Sequence, residues 1–280
     1  MLKYLYCFTI LKNSALFIES LTSKDLDAMV SLQPEGWPEI LPSIRYYCSS
    51  DFCFPLKATA DGTIVGTGTA IIYGDSAWLA HIIVHKNYRN TGIGTTITQA
   101  LIDLISKTPC KTILLIATSL GEPVYKKLGF EVQTQYAFLN GGTLPSLDEH
   151  NEIIAFQKPY EHPLTDLDYS VSGEDRKILL REHINDAILY VKQNTLRGFY
   201  LPTLGEGVII ADAPEAGIAL MKKKFVTHKN FCIPTDNEEG INFLTRHGYQ
   251  EFRRASRMIL GQKLPWNGSR IYSRIGGNLG

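Results

Sequence analysis

The segment Val84-His85-Lys86-Asn87-Tyr88-Arg89-Asn90-Thr91-Gly92-Ile93-Gly94-Thr95 decides the reading of this chain, because it places two glycines where an apolar strand passes into a helix. Behind it, Gly92 to Ser106 carries Ile93, Ile97, Leu101, Ile102 and Ile105 at helical spacing and stops at Thr108-Pro109. The first-turn N–H groups of a helix lack internal acceptors and sit at the positive end of its dipole. Glycine lets those amides approach an anion with no Cβ in the way. The loop therefore suits a pyrophosphate, or is simply a tight strand-to-helix turn, and its neighbours must decide. Two nucleotide motifs are excluded: there is no G-x-x-x-x-G-K-[ST], and Gly92-Ile93-Gly94 lacks the third glycine and following acid of a dinucleotide fingerprint.

Upstream, Leu56 to Ala60 and Ile64 to Tyr73 are β-prone runs joined by Asp61-Gly62-Thr63, a strong hairpin signal, and Ala77 to Val84 follows after Gly74-Asp75-Ser76. Gly66 and Gly68 fall inside a strand, where close backbone approach explains them better than a ligand does. Before the meander, Ala15 to Glu19 reads as a strand and Thr22-Ser23-Lys24-Asp25 as a capped helix start. Downstream come a buried strand at Thr112 to Ala117, a helix at Glu122 to Leu128 stopped by Gly129, and a strand at Val132 to Leu139.

Taken together, residues 15 to 140 resemble the GNAT superfamily of acyl-CoA-dependent N-acetyltransferases. Arg89-Asn90-Thr91-Gly92-Ile93-Gly94 matches its [R/Q]-x-x-G-x-[G/A] signature, and Tyr125-Lys126-Lys127-Leu128-Gly129-Phe130 its Y-x-x-x-G-F ending. The resemblance implies an α/β (α+β) chain whose mixed, mostly antiparallel twisted sheet is flanked by helices and opens a splayed strand pair for the coenzyme. It also implies acetyl transfer from acetyl-CoA, a co-substrate, to a primary amine by direct attack in a ternary complex. The amides of Asn90, Thr91, Gly92, Ile93, Gly94 and Thr95 would hold the pyrophosphate with Arg89 beside it, and Ile82, Ile83 and Val84 would pair with the pantetheine arm. Tyr125 stands at the general-acid position, and Thr118 replaces the family's asparagine, a coenzyme contact, seven residues earlier.

For the general base, the strand before the loop offers no carboxylate in Trp78-Leu79-Ala80-His81-Ile82. His81 is the candidate there, since an imidazole titrates near pH ~6.5, although a core histidine reads the same. Trp37 and Tyr46-Tyr47 lie where the family often lines the acceptor pocket; ordinary packing accounts for them at least as well. No metal site is expected. A non-catalytic acyl-CoA sensor is the alternative to an enzyme, and it is argued against by the intact Tyr125.

The second half repeats the first. Asn237 to Tyr249 aligns with Thr118 to Phe130 at a constant offset of 119, with Gly248 on Gly129 and Leu244 on Tyr125. Ala213-Pro214-Glu215-Ala216-Gly217 resembles the coenzyme loop, with Gly217 on Gly92, Pro214 on Arg89 and Glu215 next to the phosphate position. Proline removes an amide and glutamate repels phosphate. The expected organisation is a catalytic domain at 1–150, a linker at 151–168 containing Pro159 and Pro163, and a degenerate GNAT-like domain with a tail at 169–280. Lys222-Lys223-Lys224 reads as a solvated helix face, and the tail from Trp266 to Gly280 is free to fold over the first domain.

Composition limits the partners. The chain has 280 residues, 44% hydrophobic, with 28 basic and 28 acidic side chains, so no global charge attracts nucleic acid or an anionic membrane. Five irregularly spaced cysteines encode neither a disulfide framework nor a zinc knuckle and suit a reducing cytoplasm. The apolar start ends at Lys12-Asn13, short of a signal peptide. The expected partner is an amine-bearing acceptor, a small molecule ahead of a protein lysine, with the chain a monomer or homodimer.

Overall fold

The structure is a computed structural model that describes residues 5–11, 14–145 and 151–280, so Lys12-Asn13 and part of the stretch after Asn140 lie outside the described residues. By packing, the chain forms two compact units: residues 1–115 with 120–130, and 116–119 with 131–280.

In the first unit, strand β1 (Leu5–Leu11) pairs antiparallel with β2 (Ser14–Ser20). A capping box follows, in which Asp25 accepts from both the amide and the hydroxyl of Thr22, and leads into the short helix α1 (Leu26–Met29). Helix α2 (Leu41–Ser49) precedes the meander β3 (Cys53–Ala60), β4 (Thr63–Tyr73) and β5 (Ser76–Val84). Asp61 and Gly62 both have positive φ, +49° and +76°, as the two-residue turn requires. Helix α3 (Ile93–Ile105) buries Ile93, Ile97, Leu101 and Ile105, leaving Ile102 at its margin. The strand β6 (Thr112–Ala117) and helix α4 (Glu122–Lys127) complete the set.

Gly66 and Gly68 of β4 have the packing role that the sequence suggests. A Cβ on Gly68 would stand 2.7 Å from Ile97 Cγ2 and 3.0 Å from Leu101 Cδ1, so the bare backbone lets α3 lie directly on the sheet.

The second unit contains two sheets. In one, β7 (Glu131–Asn140) is paired antiparallel with β13 (Gln250–Gly261) on one side and β12 (Phe231–Pro234) on the other. The strand that follows α4 in the chain therefore packs in the second unit. The other sheet has the order β14-β11-β10-β9-β8, from β8 (Ile153–Ala155), β9 (Ile188–Lys192), β10 (Thr195–Leu201), β11 (Val208–Ala211) and β14 (Ile271–Ser273). Helices α5 (Glu161–Ser172), α6 (Lys177–Arg181), α7 (Pro214–Phe225) and α8 (Glu238–Arg246) accompany them. Residues 151–168, expected as a connection, hold β8 and the first turns of α5.

The repeat is visible bond by bond. The Tyr125 carbonyl accepts from the amides of Leu128 and Phe130, and the Leu244 carbonyl accepts from His247 and Tyr249, the same pairs shifted by 119. Gly129 and Gly248 share the left-handed conformation at φ +90° and +84°.

The proposed second loop aligns differently. Only two residues separate β11 from α7, and Gly217 lies inside the helix, its N–H bonded to the Ala213 carbonyl, not at the helix start where Gly92 sits. Gly217 is glycine because the ring of Tyr272 packs against it, 2.3 Å from where a Cβ would be. Lys224 also departs from its expected solvated face. It is 1% exposed, and its ammonium donates to the carbonyls of Glu206 and Gly207 and to the Ser273 hydroxyl.

Candidate functional site

The site begins with a strand that loses its neighbour. β5 pairs in parallel with β6 only at Ser76, Ala77 and Trp78, opposite Thr112, Ile113 and Leu114. Beyond Trp78 no ladder among the described residues joins them. On its other edge β5 stays on β4, but the register jumps between Thr69↔Ala80 and Thr67↔Ile83, so His81 and Ile82 together oppose Gly68. His81 sits at φ +46°, a conformation uncommon for a residue with a side chain, and the bulge bends the strand end away.

The His85 amide bonds to the Val65 carbonyl. Backbone alternation then turns the polar groups of Ile83 toward β4 and those of Ile82 and Val84 toward the open edge. Of the three residues read from sequence as a pairing edge, Ile82 and Val84 thus present hydrogen-bonding groups, while Ile83 contributes a buried side chain. The Val84 carbonyl is met by Arg89 Nε at 3.3 Å.

From Val84 the chain turns through a 3-10 turn at Lys86–Tyr88, with the Thr91 hydroxyl bonded to the Tyr88 carbonyl at 2.6 Å. Asn90 and Gly92 adopt positive φ, +62° and +90°; asparagine tolerates this and glycine is unstrained by it. The first helical bond of α3 runs from Thr96 N to Gly92 O, so the amides of Ile93, Gly94 and Thr95 precede any helical acceptor. A Cβ on Gly92 would meet nothing within 4 Å, and one on Gly94 only Val84 Cγ2 at 3.6 Å. The space around these amides is open, and the loop residues Arg89, Asn90 and Thr91 are exposed.

Tyr125 lies on α4, half-buried, with its ring edge-on to Phe130 at 6.0 Å. Burial pushes its phenol up to about 12, so the hydroxyl keeps its proton at neutral pH. Thr118, just past β6, is exposed.

His81 Nδ1 is 2.8 Å from the hydroxyl of Tyr47, which is buried in the core. Burial lowers the imidazole to about 4, leaving it neutral at physiological pH. The Trp37 ring stands edge-on to His81 at 6.2 Å and is 40% exposed. The structure therefore brings Trp37, Tyr47 and His81 together. Tyr46 touches the group through Tyr47, their ring centroids 6.2 Å apart.

Gln33 was not legible as a site residue. Its side-chain amide donates to the carbonyls of Pro34, Trp37 and Pro38, and its oxygen accepts from the Ile40 amide, so one side chain pins the loop that carries Trp37. The paired prolines around Trp37 were the only sequence hint of a shaped loop.

Residues 21–130 match the model of the Acetyltransferase (GNAT) family, and residues 164–273 match that of an Acetyltransferase (GNAT) domain. Among solved structures, a Pyrococcus horikoshii protein provisionally described as an acetyltransferase superposes with a TM-score of 0.80 at 23% identity, over 95% of this chain and 96% of that one. A GCN5-related N-acetyltransferase from Sphaerobacter thermophilus gives 0.62 at 14%, covering 90% and 98%. Another from Kribbella flavida gives 0.59 at 12%, covering 90% and 72%. At such identities the likeness is one of fold. No curated protein matches the chain in sequence.

Proposed function

This chain is a tandem of two GNAT domains, and on that premise we propose that the first transfers an acetyl group from acetyl-CoA to a primary amine while the second does not catalyse. The observation that carries the reading is the run of amides at Ile93, Gly94 and Thr95, which have no backbone acceptor among the described residues, beside a β5 edge that has lost its neighbour. Acetyl-CoA supplies a thioester whose acyl carbon is open to attack by a free amine.

The chain's own residues then have defined work. The α3 amides, with the positive end of a 13-residue helix behind them, bind the diphosphate. Room for it exists because Gly92 and Gly94 bring no Cβ into the loop. Ile82 and Val84 offer strand-like groups to the amides of the pantetheine arm, and an N–H on this edge can donate to the thioester oxygen as charge builds there. Tyr125 donates its proton to the departing sulfur, whose thiol form titrates near pH ~8.5. His81 takes the amine proton, directly or through water. That role requires Nδ1–H to donate to the Tyr47 oxygen, which leaves the Nε2 lone pair free. Holding both reactants in one geometry supplies much of the acceleration, so no covalent enzyme intermediate is needed.

The acceptor is read as a small amine that enters beside Trp37. A cytoplasmic location is supported by the five irregularly spaced cysteines, whose spacing encodes no disulfide framework. No helix among the described residues is long and apolar enough to cross a membrane.

The test is equilibrium binding of acetyl-CoA followed by thiol release with a panel of polyamines, amino sugars, amino acids and a lysine peptide. Binding at one site per chain, abolished by Gly94→Trp, with amine-dependent thiol release is the expected result. Binding without any amine-dependent release would favour a sensor. Unchanged binding in Gly94→Trp would remove the loop from the site.

A further inference from the structure

The second domain repeats the strand-helix-strand unit β5-α3-β6 as β11-α7-β12, yet its strand pair is not open. No ladder among the described residues joins β11 to β12, and between them runs β14, from the C-terminal segment. Ile209 and Ile210 of β11 pair with Ser273 and Ile271. On the far side, the Arg274 amide donates to the Cys232 carbonyl of β12 at 3.1 Å.

Side chains complete the seat. Asn237 falls at the repeat position of Thr118, and its Nδ2 donates to the Ile271 carbonyl at 3.0 Å while its Oδ1 caps α8. The Tyr272 ring lies against Gly217 of α7, in space that any Cβ would fill. Lys224 reaches the Ser273 hydroxyl at 2.6 Å, and Arg274 forms a two-pronged ion pair with Glu206. Residues 271–275 are each no more than 5% exposed, so the strand is sequestered along its whole length.

We propose that the cleft between β11 and β12 is a peptide-strand site whose ligand is the chain's own segment Ile271 to Ile275, so that this domain admits no acyl-CoA there. The first clause stands on the pairing alone. The second rests on reading the corresponding cleft of the first domain as the coenzyme site. An extended peptide and a pantetheine arm offer a strand edge similar alternating amide groups, so one can take the place of the other. The peptide has the advantage of covalent attachment, which makes its binding intramolecular.

The experiment keeps the folded full chain. A specific protease site is inserted in the exposed turn at Gly261-Gln262-Lys263, and the protein is cut after purification. The released segment should co-elute with the remainder on gel filtration, and excess acetyl-CoA should not displace it. A Ser273→Pro chain, which lacks one strand N–H, should retain the cut segment at least tenfold less well. Free loss of the segment from the cut wild-type protein would overturn the strand site. Displacement of one equivalent by acetyl-CoA would overturn the exclusion of coenzyme. Failure of the proposed catalysis would appear separately, as absent thiol release with the segment still retained.

Discussion

His81 and Tyr125 show how burial sets what a side chain can do. His81 drops to about 4 in the folded chain from an ordinary ~6.5. Between those values the unfolded chain binds the proton and the folded one does not, so stability rises with pH through this window and falls on acidification. Wild-type protein should therefore lose on the order of 3 kcal/mol at most from this group between pH 7 and 4. His81→Gln should flatten that part of the urea-midpoint profile; equal slopes would mean that His81 is not buried neutral. Tyr125, held up at about 12, stays protonated across the usable pH range. Tyr125→Phe should lower kcat about 10²-fold with the KM for acetyl-CoA within a factor of about three, since a proton donor acts in the transition state. A wild-type kcat across pH would discard the assignment.

Elements are placed by what is missing as much as by what is present. Gly68→Ala would drive a methyl into Ile97 and Leu101, lowering stability by about 1–3 kcal/mol. Combined with Ile97→Ala, which by itself leaves a cavity, the loss should be smaller than the two single losses added together. Strict additivity in urea titrations would show that α3 does not bear on β4 through this contact. Gln33 acts on a loop, holding Trp37 beside His81. Gln33→Ala should raise KM for the acceptor amine several-fold while leaving acetyl-CoA binding unchanged. A change confined to acetyl-CoA would move the Trp37 loop out of the acceptor side.

Across the chain, the two domains share a repeat but differ at the strand pair: β5 parts from β6 beyond Trp78, whereas β11 is paired with β14. Calorimetric titration should find one acetyl-CoA per chain, because the second strand pair is occupied by β14 and its strand-to-helix connection is only two residues long. Two equivalents would contradict both observations.

The local elements could be read from residues because their causes are local. Asp61-Gly62 made a turn, the apolar spacing of Ile93 to Ile105 made a helix, and Gly129 and Gly248 ended two helices in the same way at an offset of 119. The open turn from β5 into α3 was legible for the same reason, since glycine spacing and a helix start are written in consecutive residues. Other features needed the folded chain because they join residues far apart in sequence. Gly217 reads in the sequence as a loop glycine, but in the fold the Tyr272 ring stands against it; Lys224 reads as a surface charge, but Glu206, Gly207 and Ser273 enclose its ammonium. The tail's place beside β11 was equally hidden, because pairing between strands depends on backbone groups that every residue carries and no side-chain pattern announces.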